Sequence, residues 1–320
     1  MTPHSPTSAM AVVIPIYNTR ETILAQLQHL QSLGEINLAD IIVVDDQSTD
    51  GSAAAIAAAF PHVPVLVGTG QLWWTGGIRL GMEFALRRNP EFLFWLNHDC
   101  RPDPGTFTKL LAHLRDPSVG CASAVCYLQK YPEYIQSPGF RNFRALAIPS
   151  TAGLLEADGV NGNCVGFRVE AIRRVGLPDA QRFPHYGDGP YTLRLRRAGL
   201  RVLVDARARV AQDHELVRCL TVFWRSALSA APRGGWMKYY LFSNRSFYQW
   251  RYAWHRIWLY RGWQALLAFP AGLVSLLGSI GLGVGARWLL GSRWLAKVCL
   301  GQLPPVFPRQ GLLRELGLAD

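Results

Sequence analysis

The first hundred residues alternate between short, uniformly apolar runs and longer segments whose apolar positions recur at helical spacing. Four apolar runs predict buried strands: Ala11–Tyr17, Ile41–Val44, Val63–Val67 and Phe92–Leu96. The segments between them predict helices: Thr19–Leu33, Ala53–Phe60 and Gly76–Arg88. Strands that alternate with helices of about ten residues are typical of βαβ units, which build a mostly parallel sheet with right-handed crossovers.

Polar side chains gather directly after two of the predicted strands. Asp45 and Asp46 follow the second strand, and Asn97 and Asp99 follow the fourth. Open α/β sheets bind their ligands outside the carboxyl ends of the strands, so these side chains are expected to face a ligand. Each acid also suits a structural role, because Asp and Asn are favoured at helix N-caps and in turns.

Carboxylates at one sheet edge cost solvation free energy unless something compensates their charge. A divalent cation held together with a phosphorylated ligand is a common compensation, since magnesium and manganese are often shared between carboxylates and substrate phosphates. Asp99 is therefore a candidate ligand for Mn²⁺ or Mg²⁺. Asp45 and Asp46 are candidates for hydrogen bonds to a nucleotide base or ribose.

The second half of the chain carries a different pattern. Residues 121–157 are rich in Tyr, Pro and Ser and are predicted to be rich in loops. Two Gly-rich turns in GVNGNCVGFR precede a predicted helix at Val169–Val175, although Asn-Gly-Asn is by itself also an ordinary turn. Asp188 opens a helical pattern that ends at Gly199, and a strand is predicted at Val202–Val210.

Several motifs in order carry a resemblance to a known family. The strand IPIYN, the strand end VVDDQSTDGS, the segment LWWTGGIRLGM and the Asn-x-Asp of LNHD resemble the nucleotide-binding half of family 2 glycosyltransferases. The segment LWWTGGIRLGM is similar to that of the rhamnosyltransferase-like branch. The resemblance covers roughly Ala11 to Arg256. It implies an inverting enzyme with the GT-A fold, which is an α/β fold with a Rossmann-like, mostly parallel central sheet.

The resemblance also implies roles for single residues. Asp99 corresponds to the last acid of the family's DxD-type motif and would bind the metal that bridges the donor diphosphate, whereas Asn97 stands where the first acid would be. The residues that would bind the nucleotide-sugar donor are Pro15, Tyr17, Asn18, Asp45, Asp46, Gly76, Gly77 and Asn97.

Asp188 takes the role of catalytic base in the same comparison. It lies six residues before Arg194, as the family's Glu-Asp-x-Asp-Leu-x-x-Arg pattern requires, and it would deprotonate the acceptor hydroxyl. Gly187 and Pro190 replace two acids of that pattern. Asp188 also suits a helix N-cap, a role that is compatible with catalysis. His214 could complete the metal shell or contact a phosphate, or it could be a surface histidine.

Composition adds a preference for anionic partners. The net charge is +11 and 49% of the 320 residues are apolar, so the chain is globular and attracted to phosphorylated molecules, nucleic acid or an acidic membrane. Its six cysteines have no zinc-binding spacing, which indicates reduced thiols in a cytosolic compartment. The N-terminus lacks a basic segment and a long apolar run, so no secretory signal is expected.

The C-terminal third favours a membrane surface over nucleic acid. Residues 218–261 contain eight Lys or Arg and no Asp or Glu, interleaved with aromatic residues, a mixture that suits a membrane interface or single-stranded nucleic acid. Ala265–Ala286 then contains no charge at all. We expect monotopic attachment to the cytoplasmic face of the inner membrane. A single transmembrane helix, or a helix packed on the protein, is the alternative.

Together these patterns predict five segments. They are a disordered N-terminus at 1–10, a nucleotide-sugar-binding half at 11–120, an acceptor and catalytic half at 121–215, a basic aromatic helical region at 216–262 and a hydrophobic membrane-associating segment with a C-terminal tail at 263–320.

The predicted activity is sugar transfer to a saccharide or lipid-linked saccharide acceptor in the synthesis of cell-envelope polysaccharide or glycan. Transfer onto a polyprenyl phosphate, and non-catalytic binding of nucleotide sugar or nucleic acid, are the alternatives. No nucleic acid partner is expected. The donor sugar and the oligomeric state are left open.

Overall fold

A computed structural model of the protein describes residues 9–37, 40–148, 153–232, 234–244 and 246–318. The strands in these residues are β1 Met10–Ile16, β2 Ile41–Asp45, β3 Val65–Val67, β4 Phe92–Leu96, β5 Cys100–Pro102, β6 Val119–Leu128, β7 Tyr131–Ile135, β8 Gly139–Arg141, β9 Arg144–Ala145, β10 Leu154–Glu156, β11 Gly159–Val160, β12 Cys164–Arg168 and β13 Arg201–Gln212. The helices are α1 Arg20–Leu33, α2 Ser52–Ala59, α3 Trp73–Arg87, α4 Thr106–Leu114, α5 Val169–Val175, α6 Asp188–Arg197, α7 Val222–Leu228, α8 Gly235–Phe242, α9 Trp250–Arg261, α10 Ala265–Leu290, α11 Ser292–Gln302 and α12 Arg309–Glu315.

The central sheet is mixed, and its part from β4 to β3 is parallel. Its strands follow the order β10-β13-β6-β12-β4-β1-β2-β3, and β5 adds to β13. β4, β1, β2 and β3 are parallel neighbours, whereas β12 runs antiparallel to both β4 and β6. A small sheet of β11, β8 and β9 lies beside it. The α/β fold class expected from the alternating pattern is confirmed, and so is the GT-A-like architecture that the family resemblance implies.

The predicted elements of the first hundred residues agree with the structure, with two shifts of more than one residue. β3 begins at Val65, two residues after the predicted Val63. β4 has the predicted bounds. α3 begins at Trp73, three residues before the predicted Gly76, because the carboxylate of Asp46 accepts hydrogen bonds from the backbone at its N-terminus. Disorder was predicted for residues 1–10, of which residues 1–8 lie outside the described part of the chain. Met10 already belongs to β1.

The prediction of a loop-rich stretch at residues 121–157 was wrong for its first part. β6 runs through Leu128 as a buried ten-residue strand between β13 and β12. Its sequence, VGCASAVCYL, is dominated by small residues that fit between neighbouring strands but give little hydrophobic signal. The strand predicted at Val202–Val210 is present but longer than predicted, since β13 runs from Arg201 to Gln212.

Apolar side chains cover both faces of the central sheet. Alternate residues of β1 point to opposite sides, so that Val12 and Ile14 pack with α1, α2 and α4, while Ala11 and Val13 pack with α3, α5 and α6. Burial on both faces explains the uniformly apolar strands. The polar residues that end these strands are therefore left at the edge of the sheet.

The chain divides into two compact units. The first comprises the described residues of Met1–Leu128 and Ile135–Gln212, and the second those of Gln129–Tyr134 and Asp213–Asp320. In the second unit, Leu276 and Ile280 of α10 pack with Trp236 and Tyr240 of α8. A Cβ at Gly283 would lie 2.6 Å from the carbonyl oxygen of Phe223, so α10 approaches α7 closely at this glycine.

One long helical run has an exposed apolar surface. Trp250–Leu290 is, within the residues that the structure describes, the single helix long and apolar enough to cross a membrane, and 17% of its most apolar window is buried. Large apolar side chains are exposed along it and just beyond it, including Trp263, Leu267, Leu282 and Trp288. The packed face and the exposed face lie on the same helix.

Candidate functional site

Hydrogen bonds join the loops that follow β1 and β2. The backbone N–H of Asn18 donates to the hydroxyl of Ser48 (2.8 Å), and its side-chain Oδ1 accepts the N–H of Thr49 (2.7 Å). Asn18 has a φ of 51°, a left-handed conformation that Asn tolerates better than most residues. Asp50 accepts the N–H of Arg20, and a hydrogen bond from the Ser52 hydroxyl is the main cause that lowers the pKa of Asp50. The two strand ends thus form one rigid rim.

The two predicted nucleotide-binding acids are buried at this rim. Asp45 accepts the N–H of Ser48 (2.8 Å). Asp46 accepts three backbone N–H groups, from Gly70 (2.7 Å), Leu72 (2.9 Å) and Trp73 (3.1 Å). A carboxylate at a helix N-terminus is also favoured by the helix dipole. Asp46 therefore orients the start of α3, and base recognition by either acid stays a prediction.

The other predicted donor-binding residues surround the same rim. Tyr17 directly follows β1 and is exposed. Pro15 lies within β1 beside Val44 of β2. A Cβ on Gly77 would lie 3.0 Å from the Cβ of Pro15, so α3 packs closely on β1 at this glycine. Gly76 is buried in the same turn of α3. Contact of these two glycines with a nucleotide stays a prediction.

A buried glutamine holds the turn that follows β4. The Nε2 of Gln26 in α1 donates to the carbonyl oxygens of both Asn97 (2.5 Å) and Cys100 (2.7 Å). The N–H of Cys100 closes the turn on the carbonyl of Asn97 (3.1 Å). Asp99 thus lies in a turn whose backbone is held by the side chain of Gln26.

The side chain of Asn97 links three segments of the chain. Its Oδ1 accepts a 2.7 Å hydrogen bond from the indole Nε1 of Trp74, and its Nδ2 donates a 2.9 Å bond to Oδ1 of Asn163. The backbone N–H of Asn97 also donates to the carbonyl of Asn163. Asn97 thereby ties the end of β4 to α3 and to the turn before β12.

Asp99 is the carboxylate of the DxD-like turn and contacts the end of β13. Its Oδ2 accepts a 3.1 Å hydrogen bond from Nε2 of Gln212, whose own Oε1 is buried without a hydrogen-bond partner among the described residues. No group of three or more His, Cys, Asp or Glu side chains in the described part of the chain is placed to hold a metal ion. One carboxylate and an orphaned amide oxygen fit a hard cation whose remaining ligands are diphosphate oxygens and water.

Asp188 is the first residue of α6 and its carboxylate is held on both oxygens. Oδ2 accepts the N–H of Gly162 (2.7 Å), and Oδ1 accepts the N–H of Gly189 (2.9 Å). A Cβ at Gly162 would lie 2.4 Å from the ring of Trp74 and 3.2 Å from the Cβ of Asp188, so this glycine allows the three residues to meet. Asp188, Trp74 and Asn97 therefore belong to one connected site.

The structure explains why one acid of the family pattern is missing. A Cβ at Gly187 would lie 2.6 Å from both Oγ1 and Cγ2 of Thr75. The N–H of Gly187 donates to Oγ1 of Thr75 (3.2 Å) at this point of contact. Any side chain at position 187 would displace the loop from α3. Pro190, in place of the other acid, is buried in the first turn of α6.

His214 lies in the second unit. Its Nε2 is 3.4 Å from a guanidinium nitrogen of Arg218. The proposed role of this imidazole in a metal shell stays a prediction.

Four residues of the site received no role from the sequence: Gln26, Trp74, Asn163 and Gln212. Trp74 and Asn163 lie in the segments LWWTGGIRLGM and GVNGNCVGFR, whereas Gln26 and Gln212 lie in none of the motifs. All four act through contacts between segments that are far apart in the chain. For Gln26, the sequence signal is an amide on the otherwise apolar face of a helix.

Comparison with known proteins agrees with this geometry. The family model "Glycosyl transferase family 2" matches residues 11–176, which is more than half of the 320-residue chain. No curated protein sequence matches that of the chain at a significant level.

Two solved structures share the fold. One is the mannosyltransferase PcManGT from Pyrobaculum calidifontis in complex with GDP-Man and Mn²⁺, with a TM-score of 0.54 and 16% identity over 97% of this chain and 85% of that chain. The other is GalNAc-T7 with UDP, GalNAc and Mn²⁺, with a TM-score of 0.53 and 15% identity over 64% of this chain and 43% of that chain. Given the extent of the family match and this fold, the chain belongs to glycosyl transferase family 2.

Proposed function

We propose that the protein is an inverting glycosyltransferase that moves a sugar from a nucleotide-diphosphate donor to a hydroxyl group of a saccharide or lipid-linked saccharide. The observation that carries this proposal is the placement of Asp188. Its carboxylate is fixed by two backbone N–H groups in the same connected site as the turn that bears Asp99. Family membership supports the donor class.

Asp188 acts as the general base. A carboxylate oxygen accepts more than one hydrogen bond, so the backbone N–H groups that fix Asp188 still allow it to accept the proton of an acceptor hydroxyl. Deprotonation as the oxygen attacks the anomeric carbon forms the new glycosidic bond with inversion, and the nucleoside diphosphate departs. The hydrogen bond from the buried Gly162 N–H to Oδ2 restricts the orientation of the carboxylate.

Asp99 would hold the divalent cation, Mn²⁺ or Mg²⁺, with the side-chain amide of Gln212 beside it. Similar folds were solved with Mn²⁺, which supports this assignment. When bound, the cation compensates the charge of the departing diphosphate. Because the protein offers few carboxylates here, we expect the cation to bind together with the nucleotide sugar.

The likeness of LWWTGGIRLGM to the rhamnosyltransferase-like branch leads us to include dTDP-rhamnose among the candidate donors. The exposed apolar face of α10 and the basic aromatic helices before it support attachment to the cytoplasmic face of the inner membrane. Such attachment would bring the catalytic unit to a carrier-linked acceptor used in cell-envelope polysaccharide synthesis.

The proposal is tested with purified protein in mild detergent and a panel of nucleotide sugars with Mn²⁺, Mg²⁺ or chelator. Consumption of one donor that stops with chelator is the expected result, and the anomeric configuration of the product distinguishes inversion from retention. If no donor is bound or consumed with either metal, the proposal fails and a binding protein takes its place.

A further inference from the structure

A row of three aromatic rings lies beside the proposed base. The ring centroids of Trp73 and His185 are 6.2 Å apart, and those of His185 and Tyr186 are 4.7 Å apart, both in edge arrangements. Tyr186 lies two residues before Asp188 in the chain. No other role in the site uses these rings.

Two of the three aromatic residues have a strained backbone. Trp73 has a φ of 57° and Tyr186 a φ of 60°, both in the left-handed region that bulky side chains rarely adopt. Such conformations cost on the order of 1–3 kcal/mol each and persist where the surroundings enforce them. Glycine or asparagine would be less strained at both positions, so a reason for aromatic side chains is needed.

Hydrogen bonds hold the two strained residues on facing segments. The N–H of Trp73 is bound by Asp46, and the next residues join the opposite loop, since Thr75 N–H donates to the carbonyl of Pro184 (2.9 Å). Gly187 N–H returns a bond to Oγ1 of Thr75. These hydrogen bonds therefore hold the segments that carry the rings, and one of these segments continues directly into Asp188.

Burial does not account for the aromatic side chain of Tyr186. Its exposed fraction is 37%, whereas Tyr191 on α6, which packs in the core, is 2% exposed. A ring that remains in solvent, on a strained backbone next to a reactive group, is placed to meet a ligand.

We propose that Trp73 and Tyr186, with His185 between them, form the platform on which the sugar ring of the acceptor packs. This inference rests on the proposed glycosyltransferase function and specifies its acceptor as a saccharide. Sugar rings present apolar C–H faces that pack on aromatic rings, while their hydroxyl groups remain available to a base. The hydroxyl to be glycosylated would then point to Asp188. A polyprenyl phosphate has no such face.

The test compares acceptor kinetics in Tyr186→Asn, Trp73→Asn and Tyr186→Phe, using the full chain and a donor identified by the panel. Asparagine removes the ring but suits the left-handed backbone. The acceptor KM is expected to rise roughly ten-fold in each Asn variant and to change less than about two-fold in Tyr186→Phe, which keeps the ring. The donor KM should change less than the acceptor KM in each variant.

Phe143→Asn is the matched control. Phe143 is an exposed aromatic residue with a φ of 61° in the turn between β8 and β9. Replacement of Phe143 by asparagine should relieve the same kind of backbone strain without a change in acceptor KM. In Tyr186→Asn the melting temperature should not fall.

Three results would overturn the platform: an unchanged acceptor KM in the Asn variants, a rise in donor KM in place of acceptor KM, or an equal rise in Phe143→Asn. Faster transfer to a polyprenyl phosphate than to any glycoside would also overturn it. Absence of donor turnover in the unmodified protein would instead reject the proposed function.

Discussion

The indole Nε1 of Trp74 donates a 2.7 Å hydrogen bond to Oδ1 of Asn97, the residue that stands where the family pattern has its first acid. An amide can accept this bond and at the same time donate to Asn163, as Nδ2 does here (2.9 Å). A carboxylate could only accept. The position thus joins α3 to the segment that fixes Asp188.

Replacing Asn97 with leucine is expected to lower the free energy of unfolding by about 1–3 kcal/mol, because the indole N–H and the Asn163 amide lose their partner. Asn97→Asp should cost less, since it keeps an acceptor for Trp74 and the amide of Asn163 can rotate to donate. Urea unfolding of both variants measures the difference. Equal losses would mean that the Trp74 bond adds nothing to stability.

Asp188→Asn should lower turnover by about two to four orders of magnitude, because an amide cannot take up the acceptor proton. Donor binding should be near normal, and the loss of one backbone hydrogen bond should cost about 1 kcal/mol of stability. Asp158→Asn is the control, since Asp158 also accepts a backbone N–H, that of Asn142, at 2.7 Å. Similar turnover in the two variants would contradict the role of Asp188 as base.

Gln212→Glu places a second carboxylate against Asp99, at a position where the amide nitrogen is now 3.1 Å from Asp99 Oδ2. Repulsion between the two charges should destabilise the protein by roughly 2–4 kcal/mol at neutral pH. The loss should disappear when Mn²⁺ is added. Thermal unfolding with and without Mn²⁺ measures this, with Gln212→Ala as the uncharged control. A loss that Mn²⁺ does not relieve would show that the two side chains do not face a cation site.

The combined replacement of Trp263 and Leu267 by serine should reduce binding to vesicles that contain phosphatidylserine. These side chains are 71% and 75% exposed, so their removal should leave the melting temperature unchanged. Flotation of the protein with vesicles provides the measurement. Serine at Val67 and Phe143, which are exposed apolar residues of the first unit, is the matched control. Equal flotation of all variants would argue against insertion of this helix face.

Much of the fold follows from local patterns. The uniformly apolar run of β4 predicted its bounds, because a strand buried on both faces leaves no room for polar residues. α6 begins at Asp188 as predicted, and the acids at the ends of β2 and β4 lie at one edge of a mostly parallel sheet. β6 escaped prediction because its small residues become buried only when two neighbouring strands are present.

The sequence by itself determined the order of strands and helices in the first hundred residues, the family and the acids at the sheet edge, since all of these are carried by short segments. Only the tertiary structure decided what each polar group bonds to. Asp46 binds the N-terminus of α3, Asn97 binds Trp74 and Asn163, and Gly187 makes room for Thr75, a residue 112 positions away. Such partners meet only after the sheet has formed, because hydrogen bonds and close contacts depend on distances between segments that the chain order does not specify.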